Sequence, residues 1–386
     1  MSSTTKVPSA SMELTLPKAD LLGELSVSQA VADRKSTVPI LTNFLLETNG
    51  NRLLITATDL DLSLRTSCPA KVKTQGSCTI PARKFYEYVR LLQDGDVTIK
   101  LLDNNWVQIK SGRSNTKMVG MASDSYPSLP LFPANATIPL PAGLLRSMIT
   151  KTMFAISHEE SRYTLNGALL ALRSDGMTMV ATDGHRLALV ETANCKLPVT
   201  GDERRVLISK KALVELDSLL RSNELDVVSF AQNEATLFFL VSGRLLTCRQ
   251  LSGNFPNYQN VLPRDLDKTI AVSTSDLSRA LQRVAQFSDE RSSAVRLQVA
   301  ENQLRVFSSS PETGESEDVV ETSYGGRVFS IGFNSSYLLD FTKVAGSEKV
   351  TFPAFLVEKS PMMLCCTKEM APALSRFCSN HASPHP

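Results

Sequence analysis

The chain repeats itself, and no other property narrows its fold so far. Residues 14–62 read LTLPKADLLGEL, a gap, PILTNFLLE, then RLLITATDLDL; residues 138–190 read IPLPAGLLRSMI, a gap, LNGALLALR, then MTMVATDGHRLALV. The same order of pieces returns after about 124 residues, with ATD at 57–59 and again at 181–183. TIPARKFYEYVRLL (79–92) has a counterpart in LISKKALVELDSLL (207–220), and the two units close on the aromatic-Pro signatures SYPSLP (125–130) and NFPNYQNVLP (254–263). A third, weaker copy starts at VSTSDLSRALQRV (272–284), continues through AVRLQVAENQLRVF (294–307) and reaches SIGFNSSYLLDFTKV (330–344). A period of about 125 residues is domain-sized, too long for a solenoid repeat. The expected organisation is a loose tail over 1–11, followed by three related domains over 12–133, 134–264 and 265–386. Met1 and Met12 are both candidate starts.

Each unit carries the same local pattern. A helix comes first, with Leu21, Leu22, Leu25 and Ala32 near one face in copy 1 and Leu144, Leu145, Met148 and Ile149 in copy 2. Strands follow, with alternation over 52–58 and 177–180. A second helix opens in copy 1 with Pro81 in its first turn. More strands finish the unit, as in VTIKLLDNNWVQIK (97–110), where Asp103-Asn104-Asn105 supplies a turn. The predicted class is α+β: three tandem copies of two helices plus antiparallel sheet.

Composition limits what such a fold can do. The hydrophobic share of 42% is enough for packed cores, and Lys+Arg 41 against Asp+Glu 39 leaves a net charge of +2, which excludes a polycation. The windows 18–32, 82–93, 142–156, 207–222, 274–287 and 335–345, read as helices, together carry +5, so the remainder carries −3. That partition fits helices facing a polyanion, and it also fits the good helix propensity of Lys and Arg. No apolar run approaches the roughly 20 residues that span a bilayer, and residues 1–11 lack the apolar stretch of a secretory signal. The seven cysteines, at 68, 78, 195, 248, 365, 366 and 378, are odd in number and irregular in spacing, which points to a reducing cytoplasm and not to a disulfide framework. Cys365, Cys366, Cys378, His381 and His385 cluster at the end, but an adjacent pair beside a Ser/Pro-rich terminus is a poor zinc site, and no metal or cofactor is expected.

Catalytic motifs are missing. There is no GxxxxGK[ST] loop, HExxH, GxSxG or CxxC. ThrAspGlyHisArg at 182–186 offers Asp183 and His185 as an acid–base pair, yet the first copy has ThrAspLeuAsp there, so the plainer reading is a turn after a strand. Ser209-Lys210 reads as the start of a helix, and Arg113 within SerGlyArgSer as a turn residue.

The assembled pieces resemble the bacterial sliding clamps, the beta subunits of DNA polymerase III. PILTNFLLE, ATDLDL, TIPARKF, SGRS, SRYTLNG, ATDGHRLA, FPNYQNVLP, VRL, ENQL and GFNSSYLLD fall in that family's order from about residue 12 to 352. The resemblance implies a non-enzymatic processivity factor: a head-to-tail homodimer whose twelve helices line a hole for duplex DNA, read without regard to sequence. By the same resemblance Lys35, Arg83, Tyr163 and Thr164 match DNA-contacting positions, whereas Glu159 places an acid where phosphate would repel it. Leu165, Thr182, Gly184, His185, Arg186, Leu187, Pro256, Val261, Asn334 and Tyr337 match a pocket for short hydrophobic peptides of polymerase, clamp loader and repair proteins. From the residues alone, Leu165, Leu187 and Val261 read equally as core. For closure, the strand over 115–121 is expected to pair with an edge near 296–299, with Met118 and Phe287 packing across the seam.

Two departures stand out. Asn260 sits where the family tends to have arginine, and from about Pro353 the chain reads PAFLVEKSPMMLCCTKEMAPALSRFCSNHASPHP in place of a closing strand and short pocket-completing tail. The Pro content of that tract argues against a regular strand and for weaker peptide docking than in a relative with the usual ending. Two alternatives stay open: a degenerate monomeric paralogue, and a hydrolase using Asp183 and His185.

Overall fold

The computed structural model describes residues 11–32, 37–159, 161–193, 195–199, 201, 203–221, 226–262, 269–353 and 363–366. One element plan occurs three times, with an extra strand before the second helix of copy 1 and two described strands in place of three after that of copy 3. Copy 1 runs β1 (Glu13–Pro17), α1 (Lys18–Ser28), β2 (Asn43–Asn49), β3 (Arg52–Thr58), β4 (Leu62–Pro69), β5 (Lys71–Thr74), β6 (Ser77–Pro81), α2 (Ala82–Leu91), β7 (Asp96–Leu101), β8 (Trp106–Ser111) and β9 (Ser114–Val119). Copy 2 runs β10 (Ile138–Pro141), α3 (Ala142–Thr152), β11 (Gly167–Arg173), β12 (Gly176–Thr182), β13 (Arg186–Ala193), β14 (Arg204–Ser209), α4 (Lys210–Leu219), β15 (Val227–Asn233), β16 (Thr236–Val241) and β17 (Arg244–Arg249). Copy 3 runs β18 (Thr269–Ser273), α5 (Thr274–Val284), β19 (Ala294–Ala300), β20 (Gln303–Ser310), β21 (Gly314–Ser323), β22 (Phe329–Asn334), α6 (Ser335–Val344), β23 (Lys349–Pro353) and β24 (Met363–Cys366).

All six anticipated helices form, each shorter than its window. Pro17 and Pro81 are N-caps with non-helical backbone (φ −62°, ψ 138° and φ −56°, ψ 112°), so Pro81 lies one position before the first turn where the sequence pattern placed it. A proline there ends the strand and starts the helix without forfeiting a needed N–H. The windows 142–156 and 274–287 finish as 3₁₀ turns, Met153–Ala155 and Ala285–Phe287. The window 207–222 starts late because 204–209 is spent on β14. The faces are as the periodicity dictates: Leu21 and Leu25, then Leu145, Met148 and Ile149, are wholly buried. Each such side chain contributes about 1.5–3 kcal/mol of burial.

The described strands form four sheets, and the chain divides into two compact units that do not follow the repeat. Unit 1 (residues 1–143 and 211–250) holds a five-stranded sheet β5-β1-β7-β8-β9 and an eight-stranded sheet β10-β15-β16-β17-β4-β3-β2-β6. The larger one joins the first half of copy 1 to the second half of copy 2 through antiparallel β4 and β17, with Leu245 opposite Arg65 and Cys248 opposite Leu62. Unit 2 (144–210 and 251–386) holds β14-β11-β12-β13-β24 and β22-β19-β20-β21-β18-β23.

Two expectations about edges change. Residues 296–299 lie in β19, hydrogen-bonded on both sides by β20 and β22, so they present no edge. The open flank belongs to β21, which meets β18 only at Ser323 and Thr322. On the other side, β9 is indeed the last strand of its sheet. The divergent terminus also contains a strand after all: β24 runs parallel to β13, with Arg186 opposite Met363 and Leu187 opposite Leu364. At the matching position between copies 1 and 2 the partner runs antiparallel.

Candidate functional site

The ThrAspGlyHisArg stretch folds into a turn whose bonds repeat those of copy 1. Thr182 Oγ1 donates to the Arg186 carbonyl (2.7 Å) and accepts from the Gly184 amide (3.1 Å). Asp183 Oδ1 accepts from the amides of His185 (2.9 Å) and Arg186 (3.0 Å). In copy 1, Thr58 bonds Leu62 and Leu60 (3.0 and 3.1 Å), and Asp59 bonds the amides of Asp61 and Leu62 (3.0 and 2.7 Å). Such side-chain-to-backbone bonding is what places Thr and Asp in turns. The tip residue has a left-handed backbone in both, Gly184 at φ 92° and Leu60 at φ 81°. A Cβ on Gly184 would meet Arg162 Nη1 at 3.0 Å.

That bonding settles the Asp183–His185 pair. Asp183 Oδ2 accepts from Arg186 Nε at 2.9 Å, so both carboxylate oxygens are engaged without the imidazole, and His185 is exposed. Ser209 closes β14 and Lys210 opens α4. Burial, and then the nearby Arg186 charge, hold the Lys210 ammonium below its ordinary range.

Arg186 is the hub of the region. It is 6% exposed, bonds Asp183 on its own turn, and reaches α6 with Nη1 to Asp340 Oδ2 at 2.9 Å. Its guanidinium also lies 4.4 Å from the centre of the Tyr337 ring and 5.4 Å from that of Phe154. A planar, always-charged fork suits this double pairing and stacking better than an ammonium would. Asn334 caps the same helix by accepting from the Ser336 amide (2.9 Å), and its Nδ2 donates to the Ser292 carbonyl (3.2 Å).

Beside the hub lies an apolar floor. Leu169, Val180, Leu187, Leu189, Leu207 and Tyr258 pack together buried, with Leu251, Phe255 and Leu262 half-covered against them. Leu187 is therefore core, Leu165 is half-buried, Pro256 is exposed, and Val261 is 42% exposed and so not core. The sequence reading missed Leu169, Val180, Leu189, Leu207 and Tyr258. Register makes the signal plain: Leu169 opposes Val180 and Leu207 just as Leu45 opposes Thr56 and Thr79 in copy 1. Likewise Leu189 and Leu187 occupy the places of Arg65 and Ser63. One scaffold thus bears an apolar floor in copy 2 and polar side chains in copy 1, where Tyr126 is buried with Ile40, Leu41 and Leu45.

The remaining sequence candidates lie elsewhere. Arg83 is exposed on α2, and Tyr163 (73% exposed) and Thr164 are on a 3₁₀ turn, Tyr163–Leu165. Lys35 lies outside the described residues. Glu159 is held by Arg162 at 2.8 Å, which offsets its charge. Met118 is half-buried on β9, and Phe287 is half-buried at the end of its 3₁₀ turn. Cys378, His381 and His385 lie outside the described residues; within those described, no group of His, Cys, Asp and Glu could hold a metal. Among the described residues no helix is long and apolar enough to cross a membrane.

Three copies of one two-helix, antiparallel-sheet unit, with an apolar cluster beside the turn where a catalytic dyad was conceivable, define a clamp. Family models match in order: the DNA polymerase III beta subunit N-terminal domain over 12–130, its central domain over 139–257 and its C-terminal domain over 259–370. The beta sliding clamp of Caulobacter vibrioides is 34% identical over 346 residues, spanning 87% of this chain and 92% of that one. That of Vibrio cholerae is 32% identical over 330 residues, spanning 85% and 89%. The crystal structure of the Pseudomonas aeruginosa DNA polymerase III subunit beta superposes with a TM-score of 0.84 at 31% identity, covering 89% of this chain and 93% of that one. A sliding clamp of the same organism bound to griselimycin gives 0.83 at 31% identity, covering 89% and 92%. The chain belongs to the DNA polymerase III beta subunit family, the DNA sliding clamps, which are non-catalytic.

Proposed function

We propose that two copies of this chain close head to tail around duplex DNA in the cytoplasm, with domains 12–133, 134–264 and 265–386. The groove of copy 2 then holds short hydrophobic peptide segments of the replicative polymerase, the clamp loader and repair proteins. Sheet exchange carries this reading. The second half of copy 2 completes the sheet of the first half of copy 1, through β17 on β4, and β24 of copy 3 adds to the first half of copy 2. The halves left over are the second half of copy 1, ending at β9, and the first half of copy 3, ending at β21. Each is the complement that the other needs, and they sit at opposite ends of the chain, so two copies satisfy both of these edges.

Carrying the β17–β4 register onto these strands sets Lys117 opposite Glu315, Asn115 opposite Glu317 and Thr116 opposite Ser316. The seam then joins a cationic strand to an acidic one, with Met118 and Phe287 as the apolar packing. Lys35, Arg83, Tyr163 and Thr164 meet phosphates without reading bases, which permits sliding because every register is equivalent. Free thiols at Cys68, Cys78, Cys195 and Cys248 suit a reducing compartment. Sedimentation tests the ring: the expected mass is about 84 kDa, twice the 42.2 kDa chain. A species of one chain mass at micromolar concentration overturns it.

A further inference from the structure

The cations on the helices are largely spoken for. Arg83 pairs with Glu87 on α2 (2.8 Å), Arg279 with Asp276 on α5 (2.5 Å), Lys343 with Asp340 on α6 (3.2 Å), and Arg283 of α5 with Asp318. Net positive charge on a helix therefore overstates what it offers to phosphate. One of these pairs lines an open cleft of about 310 Å³ between α2 and the segment that follows α1, walled by Gln29, Thr42, Arg83, Tyr86, Glu87 and Arg90. Arg83, Tyr86, Glu87 and Arg90 follow one another at helical spacing, so two guanidiniums, a phenol and a carboxylate share one face.

We propose that this cleft seats a backbone phosphate of duplex DNA and that Glu87 is a built-in competitor for Arg83, a positioning residue that keeps the contact short-lived. The proposal rests on the reading of the chain as a DNA-encircling clamp. Arg83 has one Nε–H bonded to Glu87 and the rest of its fork facing solvent, with its side chain 79% exposed. A phosphate entering between Arg83 and Arg90 meets two donors and one like-charged acceptor. Contact then exchanges one anion for another at Arg83, and fewer condensed counterions are released than two free arginines would displace. A ring that must slide benefits, because affinity at any one register stays low while the positive groove persists.

The test is fluorescence anisotropy of the full-length protein on a labelled 30-base-pair duplex across a salt series, for wild type, Glu87→Gln, Arg83→Ala and the double variant. Glu87→Gln is expected to tighten binding about fivefold near 0.1 M salt and to steepen the slope of log affinity against log salt by up to about 0.9. Arg83→Ala is expected to weaken binding, and Glu87→Gln added to it to tighten binding much less than it does in the wild type, since Glu87 acts chiefly through Arg83. Both substitutions are on an exposed helix face, and sedimentation checks that each variant keeps the wild-type mass. Wild-type affinity and slope in Glu87→Gln, or tightening that survives undiminished in the double variant, overturns the role of Glu87 while leaving DNA binding intact. Absence of salt-dependent DNA binding in the wild type overturns the clamp reading itself, and the proposal with it.

Discussion

The guanidinium of Arg186, on the turn of copy 2, lies over the ring of Tyr337, on the first turn of α6, with their centres 4.4 Å apart. The same group bridges Asp183 and Asp340 at 2.9 Å each. One side chain therefore ties two elements that the sequence separates by about 150 residues, and does so with charge, stacking and burial together.

Removing that group should be costly. Arg186→Ala leaves two carboxylates facing a cavity and is expected to lose about 2 kcal/mol in denaturant unfolding followed by circular dichroism, less than for a fully buried pair because Asp340 is part-exposed. Arg186→Lys should recover only part of this, since an ammonium cannot fork to both acids and stack. An unfolding midpoint unchanged in Arg186→Ala contradicts the hub.

Equivalent leucines in the two copies should fail differently. Leu41 is 2% exposed, whereas its counterpart Leu165 is half-buried. Leu41→Ala is expected to cost about 2–4 kcal/mol of stability and to spare peptide docking. Leu165→Ala should weaken capture of a hydrophobic clamp-docking peptide about tenfold, by titration calorimetry, at little cost in stability. The same titration should give weaker affinity for this chain than for a relative with the usual terminus, because its closing strand β24 is short and parallel.

Charge reversal at the seam should be rescued by its mirror. Lys117→Glu sets an acid against Glu315 and is expected to shift sedimentation toward the single-chain mass; Glu315→Lys should do likewise. The double reversal should restore the dimer. If each single variant stays fully dimeric, the register inferred from β17 and β4 is wrong.

Alkali should destabilise the protein progressively from about pH 9 upward. Burial pushes the thiols of Cys68, Cys78 and Cys248 up to about 12 from an ordinary value of 9.0. In the unfolded chain they ionise near 9.0, so above that pH the unfolded state binds fewer protons than the folded one. Their contribution is complete below pH 9 and falls as pH climbs toward 12. Circular dichroism across that window should show progressive loss of structure. Native labelling at pH 8 should modify Cys195, which is only half-buried, well before Cys68, Cys78 or Cys248. Equal labelling rates refute this.

The repeat, the six helices and the turn at Thr182 were all legible in the chain, because each depends on neighbours a few residues apart. Helical spacing buries Leu21 and Leu25 wherever the helix lands, and Thr-Asp bonds its own backbone in copy 1 as in copy 2. Sequence order also excluded a shared catalytic site, since copy 1 has no histidine where copy 2 has His185.

Partnership across sheets was decided only by tertiary structure. Nothing local tells β4 to accept β17 from the next copy, places residues 296–299 inside a sheet, or leaves β21 open, because strand pairing is set by which edges remain unsatisfied once every unit has folded. Long-range chemistry was equally hidden. Asp183 looked like a partner for His185 until Arg186 took it, and Arg83 looked like an uncommitted cation until Glu87 was found at its side. A charge counted along the chain has a sign; whether it is available depends on which opposite charge the fold brings within about 3 Å.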